Sequence, residues 1–448
     1  MPDQRTIAIP SPSLVVLIGV SGSGKSTLCG RVFRPTEIVS TDACRAQLCD
    51  DPGNQQVSGA AFDLAHRIAE ERLRRARLTV FDATSLRPVD RRALLAMAAR
   101  HHLPAVAVVV DPPLDTCIER DRARKGRRVG RPVIERQHRL LREQAGSLPA
   151  EGFAVVHRLR GRRAAARAAL DLVPLPCDRA EERGPFDIVG DVHGCASELG
   201  SLLHRLGYRR ASRRRPFLHP GGRRVVLVGD LVDRGPGIVE SAGLAMDMVA
   251  AGSALCVAGN HELSLAARLR GKDSSLSPGT RRSLQQIQAL PAPARRSFVR
   301  RFLEFVAHLP SHLVLDGGRL AVAHAGIKSE QIGRDSAEIR RFASHGDTTG
   351  EVDHYGLPVR VKWAAAYRGR ALVVYGHTPV VDIEWVNNTV NIDTGCVYGG
   401  SLTALRYPER LVLSVAADKA HYRSPRVQPR GVGLRAETRA LPPLQAGR

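Results

Sequence analysis

The chain has 448 residues, which is too many for one ordinary domain and enough for two domains that each bury a core. Its 67 lysine and arginine residues outnumber 44 acidic ones, and the resulting net charge of +23 favours acidic partners such as nucleic acids or phosphorylated substrates. Only six of the basic residues are lysine, and because a GC-rich genome also produces such an arginine bias, the charge alone does not establish nucleic-acid binding.

The first strong element is the apolar run Leu14–Ile18, which predicts a central parallel strand. It leads into a glycine-rich loop that satisfies the P-loop pattern G-x-x-x-x-G-K-[ST]. In this pattern backbone N–H groups surround phosphates, Lys25 reaches the outer phosphates and the Ser26 hydroxyl ligates Mg²⁺. We therefore predict a site for ATP and Mg²⁺. Its residues are Gly19, Gly22, Ser23, Gly24, Lys25, Ser26 and Thr27.

Strand and helix patterns then alternate. The predicted strands are Glu37–Ser40, Leu78–Phe81, Ala105–Val110 and Phe153–His157, and the predicted helices run from about Ser58 to Arg77 and from about Pro88 to Arg100. This alternation is typical of a doubly wound α/β domain with a parallel sheet and flanking helices. We place this P-loop kinase domain at residues 1–160.

Two acidic residues follow predicted strands of this sheet, where ligands of such folds gather. Asp42 is a candidate to accept the proton of an attacking hydroxyl, whereas Asp82 is better suited to hold Mg²⁺ through water or to orient the loop. Each could instead cap the helix that follows it.

A basic stretch between Arg120 and Arg131 resembles a lid that closes over phosphates. A solvated basic helix end is the alternative. The stretch contains Arg120, Arg122, Arg124, Lys125, Arg127, Arg128 and Arg131.

Composition changes after the first domain. Residues 161–184 are rich in arginine and alanine and include two prolines, so we predict a linker there. A second domain is expected at 185–415, and the Pro-, Gly- and Arg-rich residues 416–448 are expected to form a basic, disordered tail.

The second domain carries polar motifs that each follow an aliphatic run, and they supply carboxylate, imidazole and amide ligands for two divalent cations. Asp230 would lie between the two cations. The motifs are G-D-V-H-G with Asp191 and His193, G-D-L-V-D-R-G with Asp230, Asp233 and Arg234, G-N-H-E with Asn260 and His261, and single histidines His324 and His377.

In this order the motifs resemble the metallophosphoesterase superfamily, which implies an α+β calcineurin-like fold, a two-sheet β-sandwich flanked by helices. The resemblance implies one metal on Asp191, His193 and Asp230, and the other on Asp230, Asn260, His324 and His377. Two such cations activate water and hold phosphate oxygens. His261, oriented by Asp233, fits a general acid, and Arg234 a phosphate clamp. Mn²⁺ or Ni²⁺ is expected, although Fe and Zn²⁺ suit these ligands too.

The motif G-H-T-P at 376–379 lacks the second histidine of many nucleases and phosphodiesterases. It resembles the branch that holds serine/threonine protein phosphatases and dinucleoside tetraphosphatases. A small-molecule P-loop kinase fused to such a phosphatase is therefore an alternative for the whole chain, as is a P-loop domain that only senses ATP.

More specific stretches lie at 40–45, 350–360 and 384–396. With them, residues 14 to about 415 resemble the kinase and phosphatase modules of bacterial polynucleotide kinase-phosphatase, an RNA end-healing family. The resemblance implies phosphorylation of 5′-OH ends, with Asp42 as general base, Arg45 on the acceptor side, and Arg120 and Arg124 on ATP. It implies removal of 3′-phosphate, 2′-phosphate or 2′,3′-cyclic phosphate, with Asp393 in the site.

The same resemblance implies nucleic-acid ends as partners, RNA in preference to DNA. It also implies a helical insertion at 263–309. Because the chain shows no K-x-D-G nucleotidyl motif, we expect either that a separate ligase seals the ends or that the protein is a solitary end-healing enzyme that works with other machinery. No C-x-x-C pair and no secretory signal is present, and we expect reduced thiols, a cytoplasmic location and no membrane partner.

Overall fold

The chain forms two compact units. The first contains Met1–Leu175 with Arg334–Ser336, and the second contains Pro176–Gly333 with Ala337–Arg448. The computed structural model describes residues 6–124, 128–212, 215–272, 277–423 and 439–440. Most of the predicted tail, 424–438 and 441–448, lies outside the described residues, as does the part of the predicted lid at 125–127.

The first unit is built on a five-stranded parallel sheet in the order β3-β4-β2-β5-β6. The strands of this unit are β1 Thr6–Ser11, β2 Leu14–Ile18, β3 Ile38–Ser40, β4 Thr79–Asp82, β5 Ala105–Asp111, β6 Val155–Arg160 and β7 Ala169–Pro174. Its helices are α1 Lys25–Val32, α2 Thr41–Cys49, α3 Ser58–Arg74, α4 Pro88–Arg100, α5 Leu114–Arg122, α6 Arg131–Gln144 and α7 Ala164–Arg167.

Both faces of this sheet are covered. Along β2, Leu14, Val16 and Ile18 pack into one hydrophobic cluster, whereas Val15 and Leu17 pack into another. Alternate residues of a strand point to opposite faces, so a continuous apolar run is what a central parallel strand requires. The predicted α/β sheet with flanking helices is confirmed.

The first half of the predicted linker contains a helix and most of a strand in the structure. Residues 164–174 form α7 and β7, and β7 pairs in parallel with β1, a strand that the sequence interpretation did not include. Ile7 and Ile9 of β1 are buried in the same cluster as Val15 and Leu17. This second, two-stranded sheet explains why the first unit extends to Leu175.

The second unit contains a six-stranded sheet, β10-β9-β8-β18-β19-β20, and a five-stranded sheet, β11-β12-β15-β17-β16. Its strands are β8 Phe186–Val189, β9 Arg224–Leu227, β10 Ala254–Cys256, β11 His312–Leu315, β12 Leu320–Ala323, β13 Thr348–Val352, β14 Pro358–Arg360, β15 Leu372–Tyr375, β16 Trp385–Val386, β17 Thr389–Asn391, β18 Ser401–Tyr407, β19 Leu411–Ala416 and β20 Arg439–Ala440. Its helices are α8 Ala196–Leu206, α9 Ile238–Ala250, α10 Asn260–Leu269, α11 Pro278–Gln288, α12 Ala292–His308 and α13 Ala337–His345.

The two sheets of the second unit pack face to face. One buried cluster combines Ile188 of β8 and Val226 of β9 with Leu320 of β12 and Leu372 of β15. Other clusters cover the outer faces, one with α8, α9, α10 and α12 and another with α13. The predicted β-sandwich flanked by helices is confirmed. The described part of the predicted insertion at 263–309 is largely helical, with α11 and α12.

Short 3₁₀ turns complete the fold. They are Pro35–Glu37, Leu148–Ala150, Asp316–Gly318, Ser329–Gln331, Trp363–Ala366 and Cys396–Tyr398. Among the described residues, no helix combines the length and the apolar character that crossing a membrane would need.

Candidate functional site

The predicted phosphate-binding loop lies between β2 and α1 in the first unit. Gly22 and Gly24 have φ values of 76° and 101°, a left-handed conformation that glycine adopts without steric cost. A Cβ atom on Gly22 would lie 2.4 Å from the carbonyl oxygen of Cys117. The glycines are therefore required by the backbone path, which leads directly into the first turn of α1.

Lys25 is buried at the first position of α1. Its Nζ atom donates hydrogen bonds to the carbonyl oxygens of Gly19, at 2.7 Å, and Val20, at 2.9 Å. Burial lowers the pKa of Lys25, and the nearby Asp82 carboxylate partly offsets this. The ammonium group thus lies inside the loop where the motif predicts phosphates.

Asp82 ends β4 and accepts a hydrogen bond of 2.9 Å from the Ser26 hydroxyl. Burial raises the pKa of Asp82, and Lys25 and Ser26 act in the opposite direction. A carboxylate and a hydroxyl side by side supply the oxygen ligands that Mg²⁺ prefers, so both residues fit the predicted magnesium site.

Asp42 lies in the first turn of α2, but Ser40 is the N-cap residue of that helix and accepts the N–H of Ala43. Asp42 is therefore not the capping residue. Its carboxylate pairs with Arg45, whose guanidinium also donates to the carbonyl oxygen of Pro52 at 2.9 Å. The Asp42 side chain remains 49% exposed, so it is accessible to an acceptor molecule.

The two predicted lid arginines differ. Arg120 in α5 donates a 2.9 Å hydrogen bond to the carbonyl oxygen of Ser23 in the phosphate-binding loop. Arg124 is exposed just after α5. The structure thus brings Arg120 to the loop.

In the second unit, the predicted metal ligands occupy loops that follow neighbouring strands. Asp191 and His193 follow β8, Asp230 follows β9, and His324 follows β12. Non-glycine residues with positive φ are concentrated in these loops. They are His193, Asp230, Asp233, Arg234 and His377. Such backbone strain persists only where the surrounding structure enforces it, and it is common at functional sites.

Asp230 lies at the centre of this site and is 1% exposed. Its Oδ2 atom is 3.4 Å from Nε2 of His193, 3.3 Å from Nε2 of His324 and 3.8 Å from Nε2 of His261. Two sets of ligand atoms, each within 4.8 Å of one another, share this carboxylate. They are His193, Asp230 and His261, and Asp230, His324 and His377.

Backbone carbonyl groups fix the orientation of two imidazoles. Nδ1 of His193 donates to the carbonyl oxygen of Val232, and Nδ1 of His324 donates to that of Val228, both at 3.0 Å. Because a carbonyl oxygen can only accept, each ring must present the lone pair of Nε2 to Asp230 when neutral. This is the usual outer support of a metal-binding histidine.

The donor set fits a cation. Nε2 of His324 lies 3.0 Å from Nδ1 of His377 and 3.0 Å from Oδ1 of Asn260. When His324 is neutral with its proton on Nδ1, its Nε2 lone pair faces the Asn260 oxygen, which can only accept. Burial lowers the pKa of His324, but Asp230 and Asp191 outweigh it and raise the pKa to about 9. The carboxylates therefore favour positive charge at this position, which divalent cations would supply.

Asp191 lies beside the two ligand sets. Its carboxylate accepts the backbone N–H of His377 at 3.0 Å, and burial followed by the Asp393 charge raises its pKa. Burial likewise raises the pKa of Asp393 to about 6. Neither carboxylate belongs to a set of mutually close ligand atoms among the described residues. Both nevertheless add negative charge to the site.

His261, predicted as a general acid, is oriented by Asp233. Nδ1 of His261 lies 2.6 Å from Oδ2 of Asp233, and its Nε2 atom lies 2.9 Å from Nη2 of Arg234. Arg234 also contacts Nε2 of His193 at 2.6 Å. The three predicted residues therefore lie together, with His261 close enough to Asp230 to belong to a ligand set as well.

Sequence reasoning assigned no role to several residues that support this site. Thr280 and Ser283 of α11 both donate hydroxyl hydrogen bonds to Asp233. Tyr398 and Tyr422 lie under the Arg234 guanidinium, with ring centroids 5.6 and 5.9 Å from its central carbon. They lie outside the motifs, and no local pattern marks them.

Glu262 is a further supporting residue, and the G-N-H-E motif could have revealed it. Its buried carboxylate accepts backbone N–H groups of Asp230, Leu231, Val232 and Gly259, at 2.7 to 3.2 Å. Burial raises the pKa of Glu262 to about 7. This side chain holds the loop that carries Asp230.

The comparisons with known proteins divide the chain in the same way. A family model described as AAA domain matches residues 14–146, and one described as calcineurin-like phosphoesterase matches residues 184–381. A crystal structure of a candidate diadenosine tetraphosphatase is 24% identical and covers 54% of this chain and 96% of its own, with a TM-score of 0.39.

The curated relatives match about half of the chain. The asymmetrical bis(5′-nucleosyl)-tetraphosphatase PrpE of Anoxybacillus flavithermus is 41% identical over 230 residues, which are 51% of this chain and 93% of that protein. The protein of the same name from Geobacillus thermodenitrificans is 42% identical over 236 residues, 53% of this chain and 96% of that protein. With nearly the whole length of these relatives covered, the chain belongs to the calcineurin-like phosphoesterases, as an enzyme that joins a kinase-like P-loop domain to a metallophosphoesterase domain.

Proposed function

We propose that the second domain hydrolyses a phosphoanhydride bond of a dinucleoside tetraphosphate and that the first domain transfers a phosphoryl group from ATP to an acceptor hydroxyl. The observation that carries the first part is the shared Asp230 carboxylate between two ligand sets, in a domain that matches tetraphosphatases over 93% of their length. This corresponds to the alternative that the G-H-T-P motif left open.

The residues around Asp230 would hold two divalent cations, which would supply positive charge for phosphate oxygens and activate a water molecule. Arg234 lies beside both His193 and His261 and is placed to clamp a phosphate oxygen. His261 is placed to donate a proton to the leaving phosphate oxygen, and Asp233 holds the ring in position through Nδ1.

In the phosphoryl transfer, the loop glycines, Lys25 and Arg120 would surround the phosphates of ATP. Ser26 and Asp82 would hold Mg²⁺. The exposed carboxylate of Asp42 would accept the proton of the attacking hydroxyl, with Arg45 beside it on the acceptor side.

The hydrolysis is tested with bis(5′-adenosyl) tetraphosphate and Mn²⁺, with products separated by anion-exchange chromatography. Asymmetrical cleavage would release AMP and ATP, and Asp230→Ala would abolish it. Lys25→Ala should cleave at the wild-type rate. Release of two ADP molecules, or no release at all by the wild-type protein, would contradict the proposal.

A second candidate is nucleic-acid end healing, in which the substrates are 5′-OH and 3′-phosphate ends, RNA in preference to DNA. It is favoured by the exposed Asp42 and its Arg45 partner beside a phosphate-binding loop, in a chain with a net charge of +23. The tetraphosphatase relatives cover 51% of this chain and carry no information on this first domain.

This candidate requires label transfer from ATP to a 5′-OH oligonucleotide with Mg²⁺, and phosphate release from a 3′-phosphate oligonucleotide with Mn²⁺ or Ni²⁺. Lys25→Ala should remove only the first reaction and Asp230→Ala only the second. Absence of both reactions, beside efficient cleavage of the tetraphosphate, would leave the first proposal as the account of the site.

A further inference from the structure

A second group of potential metal ligands lies behind the Asp230 site. Cys195, Glu198 and Cys396 are all at most 2% exposed, and one ligand atom from each lies within 4.8 Å of the other two. His421 adjoins this group through Glu198, with Nε2 at 3.4 Å from Oε1 of Glu198. We call these four residues the thiol cluster.

The thiol cluster is assembled from three separate parts of the second unit. Cys195 and Glu198 lie at the start of α8, Cys396 opens the 3₁₀ turn Cys396–Tyr398, and His421 follows β19. The backbone N–H of His421 donates to the carbonyl oxygen of Val397, which brings the last segment against that turn. The cluster is thus a tertiary arrangement that no local sequence pattern would create.

The hydrogen bonds that the buried Glu198 carboxylate accepts are long. Its side chain is 3% exposed, and its Oε1 atom has the N–H of Asp418 and Nε2 of His421 as partners, both at 3.4 Å. A buried carboxylate normally requires close hydrogen bonds or a cation. Two thiols and an imidazole in the immediate neighbourhood point to a cation.

The ligand chemistry selects the ion. Two sulfur atoms and one carboxylate lie together. With the adjoining imidazole of His421 as a fourth ligand, they would form a set of the kind that binds Zn²⁺ tetrahedrally. The Asp230 site offers only oxygen and nitrogen atoms, which suit harder cations. The two sites therefore differ in the metals that they would prefer.

We propose that Cys195, Cys396, Glu198 and His421 bind one Zn²⁺ ion, separate from the two cations of the Asp230 site, with loss of the thiol protons to solvent. The ion would link three segments that carry residues of the Asp230 site. Cys195 directly follows the motif of Asp191 and His193, Cys396 lies three positions after Asp393, and His421 precedes Tyr422 beneath Arg234.

The test uses the full chain, stripped of metal under reducing conditions and titrated with Co²⁺. Thiolate ligands give Co²⁺ an intense near-ultraviolet charge-transfer band, whereas oxygen and nitrogen ligands do not. We expect this band in the wild-type protein, its loss in Cys396→Ser, and its displacement by one equivalent of Zn²⁺. Cys256→Ser, which changes another buried cysteine of the same unit, is the matched control and should keep the band.

Glu198→Gln and His421→Asn keep both thiols and provide a second set of variants should the serine variants fail to fold. Each should weaken Co²⁺ affinity by about 10-fold or more as judged by the same band. A wild-type protein without the band in excess Co²⁺ would overturn the proposal. So would a band that persists in folded Cys396→Ser, or mass spectrometry showing Cys195 and Cys396 joined as a disulfide in the protein as purified.

Discussion

Asp230 contacts three imidazoles through one carboxylate oxygen, at 3.3, 3.4 and 3.8 Å. No other side chain of the described site is shared between both sets of ligand atoms. The positive φ of Asp230, 50°, places its carboxylate among the imidazoles. The buried Glu262 carboxylate holds this backbone conformation by accepting the N–H of Asp230. Asp230 is therefore the ligand that both sets share, and Glu262 is the residue that holds the backbone of Asp230 in place.

We expect Asp230→Ala to reduce Mn²⁺ binding well below two equivalents, because the variant removes the shared ligand of both sets. Hydrolytic activity should fall by more than about 100-fold, the upper end of the effect of outer-shell partners. Equilibrium dialysis with Mn²⁺ measures the stoichiometry without interference from thiols. Asp247→Ala, which removes an exposed carboxylate of α9, is the control. Two tightly bound Mn²⁺ ions in Asp230→Ala would show that Asp230 does not bridge.

Asp233→Asn tests the positioning of His261. The carboxylate holds Nδ1 at 2.6 Å, and Thr280 and Ser283 hold the carboxylate in turn. We expect kcat to fall by about 10–100-fold with Mn²⁺ stoichiometry unchanged, and Ser283→Ala to have a smaller effect in the same direction. Steady-state kinetics with the cleaved substrate measure this. An Asp233→Asn enzyme with full kcat would exclude the orienting role.

Glu262→Gln should destabilise the second unit, because an amide replaces a buried carboxylate that accepts four backbone N–H groups. We expect the free energy of unfolding to fall by roughly 1.5–3 kcal/mol, the range for hydrogen bonds to charged groups. Urea denaturation monitored by circular dichroism measures it. The exposed Glu240→Gln should change stability by less than about 0.5 kcal/mol. Equal stability of both variants would contradict the supporting role.

At this scale the sequence predicted which residues meet at the Asp230 site, because each metal-binding motif places its ligand just after a strand. It did not predict their supports. Thr280, Ser283, Tyr398 and Tyr422 approach from an inserted helix, a 3₁₀ turn and the segment after β19. Their identity depends on tertiary contacts, which periodicity and spacing do not encode.

Among the secondary-structure elements, the central strands were the easiest to predict. The continuous apolar run Leu14–Ile18 has the same bounds in the sequence and in the structure. A strand that is buried on both faces has no polar position, so its ends are easy to recognise in the sequence. The pair of β1 and β7 was missed. Only two of the six residues of β1 are buried, and β7 is at most partly buried, so neither has a strong hydrophobic pattern.

The phosphate-binding loop gives a prediction at the scale of elements. Gly22→Ala would place a Cβ atom 2.4 Å from a backbone oxygen of α5 and would force φ near 76° on a non-glycine residue. We expect a strain of about 1–3 kcal/mol and loss of ATP-dependent phosphoryl transfer, with hydrolysis by the second domain unchanged. Isothermal titration calorimetry with ATP and Mg²⁺ measures the loss of nucleotide binding.

Gly30→Ala in α1 is the matched control, since a Cβ atom there meets no atom within 4 Å. It should bind ATP as the wild type does and should be slightly more stable, because alanine favours helix. Equal ATP affinity of the Gly22→Ala and wild-type proteins would show that the loop does not bind nucleotide phosphates in the predicted way.

For the whole molecule, composition and length predict two domains, and the chain divides into two compact units. The motifs assigned a fold to each part, and both folds are confirmed. The end-healing resemblance spans both domains, whereas a tetraphosphatase relative such as that of Anoxybacillus flavithermus matches 51% of the chain. Hydrolysis of a phosphoanhydride and hydrolysis of a terminal phosphate ester use the same cations and the same general acid. The residues of the site are therefore compatible with both classes of substrate.

The most direct measurement compares the wild type, Lys25→Ala and Asp230→Ala in one Mn²⁺ assay that contains bis(5′-adenosyl) tetraphosphate and a 3′-phosphate oligonucleotide together. The account predicts that the wild type and Lys25→Ala release AMP and ATP from the tetraphosphate at the same rate and that Asp230→Ala releases neither. Undiminished cleavage by Asp230→Ala, or dependence of cleavage on Lys25, would contradict a separate hydrolytic site centred on Asp230.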